Sequence, residues 1–166
     1  MKITDEHLYH GAVLNQIAEH PQFTAINALK VKGKISRSAF KVNDDIAVYL
    51  KIASKPKGKY REYLFTFNNR HIKELRDINS AGNDLHLALV CVKDREICCL
   101  PYDDLSRMID KRETSRGVAE PQYQLLVTLA PREAFRVYMN APGTKGQLLG
   151  VELKIARNRC PDALFR

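Results

Sequence analysis

The sequence of 166 residues lacks the short motifs that mark the common catalytic sites. Its eight glycines are scattered, so there is no glycine-rich phosphate loop, and no G-x-S-x-G nucleophile motif occurs. No histidine pair has the spacing of a zinc protease, and no cysteine and histidine stand in a known catalytic signature. The sequence therefore names no reaction, and whether the protein is an enzyme stays open.

Cysteine and long apolar runs are also scarce. Of the four cysteines, none forms a C-x-x-C pair, and Cys98 and Cys99 are adjacent, which suits neither a disulfide framework nor a zinc site. We interpret them as small core residues in a reducing cytoplasm. No apolar run approaches the ~18 residues of a membrane helix, and MKITDEHLYH is not an apolar signal segment. We therefore expect a cytoplasmic protein without a membrane partner.

What the sequence does contain is positive charge, concentrated in one segment. Residues 30–61 hold ten basic side chains against Asp44 and Asp45, a net charge of +8 that equals the net charge of the whole chain. The ten are Lys30, Lys32, Lys34, Arg37, Lys41, Lys51, Lys55, Lys57, Lys59 and Arg61. A localised basic surface attracts polyanions, so we expect DNA or RNA as partner first and an acidic protein or lipid second. The alternative is a solvated surface that keeps the protein soluble.

The apolar pattern predicts an α/β or α+β fold, with a central mixed sheet flanked by helices. Residues 5–20 and the stretch after Asn69 have helical patterns, and 85–92 is an apolar run typical of a buried strand. Residues 46–53 alternate, which predicts Tyr49 and Lys51 on the sheet face opposite to Val48 and Leu50.

The chain divides by pattern into two parts. We expect a core over residues 1–113 and a strand-rich extension over 122–166 that packs on the same domain. In the core, residues 23–36 read as apolar and then as a half-exposed strand with a lysine face, and 62–67 as a further strand. A short helix after Asp103 or Asp104, a loop over 111–121, and strands over 123–129, 135–139 and 148–156 complete the prediction.

Residues 5–110 have a recognisable order of elements. They read as helix, strands, a strand with an exposed lysine at its end (IAVYLKIA), helix, buried strand, and a strand leading to PYDDL. This order resembles the PD-(D/E)xK nuclease superfamily, which includes many restriction enzymes and Holliday-junction resolvases. The resemblance implies a restriction-endonuclease-like fold in which an Asp and a Glu hold Mg²⁺ and a Lys two positions after the Glu helps to activate water.

The residues at that motif depart from the family. Lys51 occupies the lysine position, but Tyr49 stands where the glutamate belongs, and a tyrosine hydroxyl is a poor Mg²⁺ ligand beside a carboxylate. We therefore expect no intact metal site and no cofactor. The alternative is an active Mg²⁺-dependent nuclease, in which Lys51 acts with acidic residues such as Glu19, Asp44 and Asp45.

The loop SKPKGKYR is the strongest candidate for nucleic-acid contact within the basic segment. Its cations suit phosphates, and Tyr60 suits stacking on a base. The predicted binding residues are Lys30, Lys32, Lys34, Arg37, Lys41, Lys55, Lys57, Lys59, Tyr60 and Arg61. The sequence thus predicts a nucleic-acid-binding or partner-binding protein with a nuclease-like fold; the further alternative is a protein-interaction module that does not bind nucleic acid.

Overall fold

The computed structural model describes residues 1–143, 146–150 and 152–166. In that part of the chain the helices are α1 (Asp5–Ala18), α2 (Asn69–Ser80) and α3 (Tyr102–Arg116), with a 3-10 helix at Asp162–Phe165. The strands are β1 (Ile26–Val31), β2 (Lys34–Val42), β3 (Ile46–Ala53), β4 (Tyr63–Asn68), β5 (Asp84–Cys91), β6 (Glu96–Pro101), β7 (Gln122–Thr128), β8 (Phe135–Tyr138) and β9 (Leu153–Ile155). None of these helices is long and apolar enough to cross a membrane.

The central sheet contains five strands in the order β1-β2-β3-β5-β6. The second strand, β2, is antiparallel to its neighbours β1 and β3. β5 lies parallel beside β3, and β6 returns antiparallel to β5. The parallel pair needs a crossover connection, and α2 lies within it. The fold is therefore α+β, and the predicted mixed sheet flanked by helices is confirmed.

A second, antiparallel sheet contains the strands β4-β7-β8-β9. Its first strand comes from the predicted core, because β4 pairs with β7 along its full length instead of joining the central sheet. The strand predicted over 148–156 is too long: the structure forms β9 from Leu153–Ile155, and Val151 lies outside the described residues. The C-terminal strands thus build a sheet together with a strand from the middle of the chain.

The central sheet is covered on both faces. On one face, α2, α3 and the second sheet share an apolar cluster that extends from Leu29 to Ile155. On the other face, α1 and the 3-10 helix pack through Val13, Ile17 and Leu164. Since the larger cluster takes residues from both parts of the chain, the C-terminal strands and the N-terminal elements pack around common apolar side chains.

The alternation predicted for β3 is present. Ala47 and Tyr49 belong to the cluster on the α2 face, whereas Val48 and Leu50 belong to the cluster on the α1 face. Lys51 lies on the same face as Tyr49, above a ring of β4. The predicted facing of Tyr49 and Lys51 is confirmed.

The lysine-faced strand predicted around residues 30–36 is wrong, because the chain reverses within it. Lys32 and Gly33 both have positive φ, 49° and 80°, and form the turn of a hairpin in which Val31 pairs with Lys34. Two positive φ angles are the geometry of a tight hairpin turn, for which glycine at the second position is a usual signal. The three lysines therefore surround a hairpin tip and do not share one strand face.

The loop predicted over 111–121 is also wrong in its first half. The third helix continues to Arg116 and ends at Gly117, whose φ of 82° is the left-handed conformation typical of a helix C-terminus. Side-chain contacts hold this polar segment: Arg112 and Arg116 both bind the buried carboxylate of Glu120. The polar last turns bury little apolar surface, so apolar periodicity does not reveal them.

Candidate functional site

Lys51 lies near the end of β3, on the face that β4 and α2 cover. Its Nζ is 5.2 Å from the centroid of the Phe67 ring of β4. The side chain is half-buried, and this burial lowers the pKa of Lys51. The expectation of an exposed lysine at the strand end is therefore wrong, because a strand of the second sheet lies over it.

Tyr49 is buried beside this lysine, with 1% of its surface exposed. Burial raises the pKa of Tyr49 to about 12, and the nearby carboxylate of Glu74 acts in the same direction. A hydrogen bond with the side chain of Ser38 opposes that rise. At neutral pH the position that a glutamate would occupy in the nuclease motif therefore holds a neutral hydroxyl.

A bulge in β2 carries Ser36 and Ser38. Together with Lys51, Tyr49 and Glu74 they form what we call the cluster around Lys51. Between the pairs Ala28–Phe40 and Lys30–Ile35, β1 has one residue while β2 has four. Ser36 Oγ accepts hydrogen bonds from the backbone of residues 38 and 39, at 3.2 and 3.0 Å, and donates one to the Glu74 carboxylate. The bulge thus ties β2 to α2.

The N-terminus of α2 lies beside the cluster around Lys51 and adds His71 to it. Asn68 caps the helix: its Oδ1 accepts from the backbone N–H of His71 at 2.9 Å, and the His71 ring accepts from the Asn68 N–H. Burial, followed by the charges of Lys51 and Arg70, lowers the pKa of His71. The helix that the pattern predicts after Asn69 therefore begins at Asn69 itself, with Asn68 as its cap.

The carboxylates expected in the nuclease alternative do not meet at Lys51. Glu19 caps the C-terminus of α1, which covers the opposite face of the sheet. Asp44 and Asp45 are exposed in the turn before β3, whereas Lys51 lies near the other end of that strand. Instead, Glu74 of α2 reaches the cluster. The described part of the chain holds no group of three or more His, Cys, Asp or Glu that could bind a metal ion.

The β1–β2 hairpin carries exposed cations at its tip. They are Lys30, Lys32, Lys34 and Arg37. Because β2 is antiparallel to β3, with Ala39 opposite Tyr49, the start of β2 lies at the end of the sheet where β3 finishes. The hairpin tip and the loop after β3 therefore share one end of the central sheet. Lys41, next to Ala47, lies toward the other end and is half-buried.

The second helix adds cations that the sequence analysis missed. Its exposed cations are Arg70, Lys73 and Arg76. Their i, i+3, i+6 spacing places them within roughly a third of the helix circumference. Its two carboxylates are engaged by the hairpin: Glu74 accepts from Ser36, and Asp77 Oδ1 is 3.5 Å from Lys32 Nζ. The spacing R-x-x-K-x-x-R was the available sequence signal.

The loop between β3 and β4 is closed by its own backbone. The N–H of Lys57 donates to the carbonyl of Glu62 at 2.8 Å, and the reverse bond measures 3.0 Å. Tyr60 is 55% exposed near its tip, with Lys59 Nζ 5.8 Å from the ring centroid. The exposed cations of the loop are Lys55, Lys57, Lys59 and Arg61.

The β5–β6 turn lies at the same end, since β5 runs parallel to β3. Lys93 and Arg95 are exposed there, and between them Asp94 accepts a hydrogen bond from the Tyr63 hydroxyl. We call the exposed cations at this end of the sheet, together with those of α2 beside the hairpin, the basic edge. It is defined by Lys30, Lys32, Lys34, Arg37, Lys55, Lys57, Lys59, Arg61, Arg70, Lys73, Arg76, Lys93 and Arg95.

The charge of the basic edge is little compensated within the described residues. Of its thirteen cations, Lys32 alone takes part in an ion pair there, with Asp77. Exposed cations without a fixed partner keep their field for a ligand, although salt screens it beyond about 10 Å at 0.1 M ionic strength. Eight of these thirteen cations are among the ten predicted binding residues. Tyr60 lies in the same loop as four of them, and Lys41 lies toward the other end of the sheet.

A groove of about 730 Å³ borders the loop but has a different character. Its lining combines Tyr60 and Arg61 of the loop with the carboxylates of Asp94, Glu133 and Glu152, and its Arg136 lies 3.4 Å from Glu133 and 3.7 Å from Glu152. Three carboxylates against two arginines make the groove less favourable for a phosphate than the basic edge, where cations predominate. We therefore assign polyanion contact to the exposed surface of the basic edge and not to the interior of the groove.

Comparison with protein-family models, curated proteins and solved structures finds no match to this chain. The basic edge and the cluster around Lys51 therefore have to be interpreted from their own chemistry.

Proposed function

We propose that the protein binds nucleic acid through the basic edge. The observation that carries the proposal is the arrangement of charge on α2 and the hairpin. The carboxylates of Glu74 and Asp77 are engaged by Ser36 and Lys32, while Arg70, Lys73 and Arg76 stay exposed. A row of exposed cations beside a basic hairpin and a basic loop suits the regular negative charge of a phosphate backbone.

The ligand contacts in this proposal are of two kinds. Lysine and arginine side chains of the basic edge neutralise phosphates, which supplies affinity without reading sequence. Tyr60 is exposed among lysines, and its ring provides a surface on which an unpaired base stacks. DNA and RNA both offer these groups.

We further propose that the fold is nuclease-like and has no intact metal site. The element order supports the first part: α1, three antiparallel strands, β4 of the second sheet, α2, and then β5 parallel beside β3. The buried, neutral Tyr49 next to Lys51 supports the second, since Mg²⁺ prefers charged oxygen ligands. The four free thiols fit a reducing compartment, so we place the protein in the cytoplasm.

Fluorescence anisotropy with labelled mixed-sequence DNA and RNA tests the binding proposal. The test variant replaces Arg70, Lys73 and Arg76 by glutamine, which keeps the helix propensity. The matched control replaces three exposed lysines outside the basic edge: Lys2, Lys111 and Lys154. At about 50 mM salt we expect the test variant to bind roughly ten-fold more weakly and the control to bind almost like wild type.

Two results would remove the proposal. One is the absence of binding to either nucleic acid at low salt, which would leave a protein partner as the better interpretation of the basic edge. The other is equal weakening by the test and control variants, which would mean that net charge alone, and not this surface, attracts the polyanion.

A further inference from the structure

The four cysteines lie in two pairs on opposite faces of the central sheet. Cys91 and Cys98 are buried on the face that the second sheet covers. Cys99 belongs to the cluster on the α1 face, where Cys160 packs from the C-terminal segment. Adjacent positions on β6 thus send their thiols to different environments, as alternation along a strand requires.

The second pair shares one apolar cluster. Cys160 packs against the cluster that contains Cys99, and each thiol perturbs the pKa of the other, although the two residues belong to distant parts of the chain. Cys99 is 1% exposed, whereas Cys160 is partly exposed. An open cleft of about 410 Å³ between the end of α1 and the C-terminal segment is lined by Cys160 together with Glu19 and His20. A small solute in the cleft meets Cys160 before Cys99.

The two thiols differ in acidity, and the more exposed thiol, that of Cys160, is the more acidic one. A hydrogen bond from Cys99 lowers the pKa of Cys160, against the opposing effects of burial and Asp162. The same hydrogen bond, together with burial, raises the pKa of Cys99. The accessible sulfur is therefore the one with more thiolate character, and the thiolate is the form that reacts with oxidants.

We propose that Cys160 and Cys99 are a reversible oxidation site that forms a disulfide on reaction with a hydroperoxide. The Cys160 thiolate attacks one peroxide oxygen, the O–O bond breaks, and a sulfenic acid forms while water (or an alcohol, from an organic peroxide) leaves. The Cys99 sulfur then attacks the sulfenic sulfur, and a second water leaves as the S–S bond forms. The peroxide accepts the two electrons, and a thiol reductant reverses the reaction.

The bond would join the C-terminal segment to β6. That segment docks through Ala163 and Leu164, and through Phe165, whose ring is stacked on His20 at 4.1 Å. A cross-link restricts the unfolded chain and holds this docked segment in place, so we expect the oxidised protein to melt about 5–10 °C above the reduced protein. The proposal is independent of nucleic-acid binding.

Peptide mapping of the full chain tests the site. Protein treated with hydrogen peroxide is alkylated, digested without reduction and analysed by mass spectrometry. Because Cys98 and Cys99 are adjacent, the Cys98→Ser variant assigns the bond: it should retain the cross-link to Cys160, whereas Cys160→Ser should lose it. Reduction with dithiothreitol should return both thiols and the lower melting temperature.

Three outcomes would overturn the proposal. They are a cross-link that requires Cys98, a Cys160 that proceeds to sulfinic acid while Cys99 stays free, and a peroxide-treated protein with all four thiols still alkylatable. The last two outcomes are measured on the wild-type protein, so they would overturn the proposal even if a variant folds poorly.

Discussion

Tyr49 decides at the level of a single side chain whether the cluster around Lys51 can hold a metal. Its hydroxyl is buried and has a pKa raised to about 12, so it is neutral at physiological pH. The neighbouring Ser36 and Ser38 are neutral as well, and Glu74 is engaged by Ser36. Glu74 is thus the single carboxylate of this cluster, whereas the nuclease motif holds Mg²⁺ through an Asp and a Glu together.

We therefore expect the purified protein to leave DNA and RNA intact in the presence of Mg²⁺ or Mn²⁺. The measurement is gel electrophoresis of labelled duplex and single-stranded substrates after long incubation. Metal-dependent cleavage that disappears in a Lys51→Ala variant would contradict this prediction and would favour the nuclease alternative.

Asp77 provides a second test at the residue scale. Its Oδ1 lies 3.5 Å from Nζ of Lys32, which is one of the cations of the basic edge. Asp77→Asn removes a negative charge and frees Lys32, so nucleic-acid affinity should rise roughly two- to five-fold, equivalent to about 0.4–1 kcal/mol. Asp110→Asn, at an exposed position on α3, is the control and should leave affinity unchanged. Weaker binding by the Asp77 variant would show that the pair serves to order the hairpin.

At the scale of elements, the β1–β2 hairpin that presents the basic edge depends on its turn. A Cβ added at Gly33 meets nothing within 4 Å, but its φ of 80° is strained for any other residue. Gly11 in α1 also has free space, without a positive φ. Gly33→Ala should cost about 1 kcal/mol of unfolding free energy, whereas Gly11→Ala should add about 0.5–1 kcal/mol.

Urea denaturation of these two variants measures both changes against wild type. The pair isolates backbone conformation, because neither methyl group has a contact to make or to break. Shifts of the same sign in both variants would contradict the account of the hairpin turn.

The contact between α3 and the segment before β7 gives a pH-dependent prediction. Glu120 is 8% exposed, with Arg112 Nε at 2.8 Å and Arg116 Nη1 at 2.9 Å, and the hydrogen bond from Arg112 is the main reason that the pKa of Glu120 is lowered. A carboxyl group whose folded pKa is lowered stabilises the fold above its ordinary value of 4.5, and this contribution is lost as pH falls through the folded pKa.

Glu120→Gln should therefore lower the unfolding free energy by about 2–4 kcal/mol at neutral pH, since it leaves Arg112 without its charged partner. The difference from wild type should shrink as pH falls below about 4.5. Glu133→Gln is the control, because its ion pair with Arg136 is half exposed and should contribute little. A constant difference in denaturant titrations from neutral to acidic pH would contradict the assignment to Glu120.

The elements that the sequence predicts well are those whose signal is local. The alternation in β3, the apolar run of β5 and the apolar side of α2 follow from period and composition, and they reappear at these positions. The pairing of β4 with β7 joins distant parts of the chain, and alternation carries no information about partners. Phe67 covers Lys51 through this pairing, so the exposure of Lys51 was not predictable from its own strand.

The candidate site was predictable only as an excess of charge. Composition shows the cations of residues 30–61, but it does not show that Glu74 and Asp77 are engaged by the hairpin while Arg70, Lys73 and Arg76 stay exposed. That arrangement depends on where α2 crosses β1 and β2. It also depends on a bulge in β2 that the sequence did not reveal.

At the scale of the whole molecule, the fold places its charge unevenly. The hairpin tip, the β3–β4 loop and the β5–β6 turn come together at one end of the sheet because β2 is antiparallel and β5 parallel to β3. Lys41, Asp44 and Asp45 lie toward the other end. Strand direction thus concentrates cations from separate segments at one end of the sheet, and clustered positive charge attracts polyanions.

The salt dependence of binding tests the proposal most directly, because its slope counts the phosphates that a protein neutralises when it binds nucleic acid. The slope of log affinity against log salt should be negative for wild type and shallower by about 2.7 when Arg70, Lys73 and Arg76 are replaced by glutamine, at about 0.9 per duplex phosphate contact. Replacing Lys55, Lys57, Lys59 and Arg61 by alanine should make it shallower by about 3–4. The Lys2, Lys111 and Lys154 control should keep the wild-type slope. A wild-type slope near zero, or equal slopes for all four proteins, would contradict the proposal that this surface binds nucleic acid.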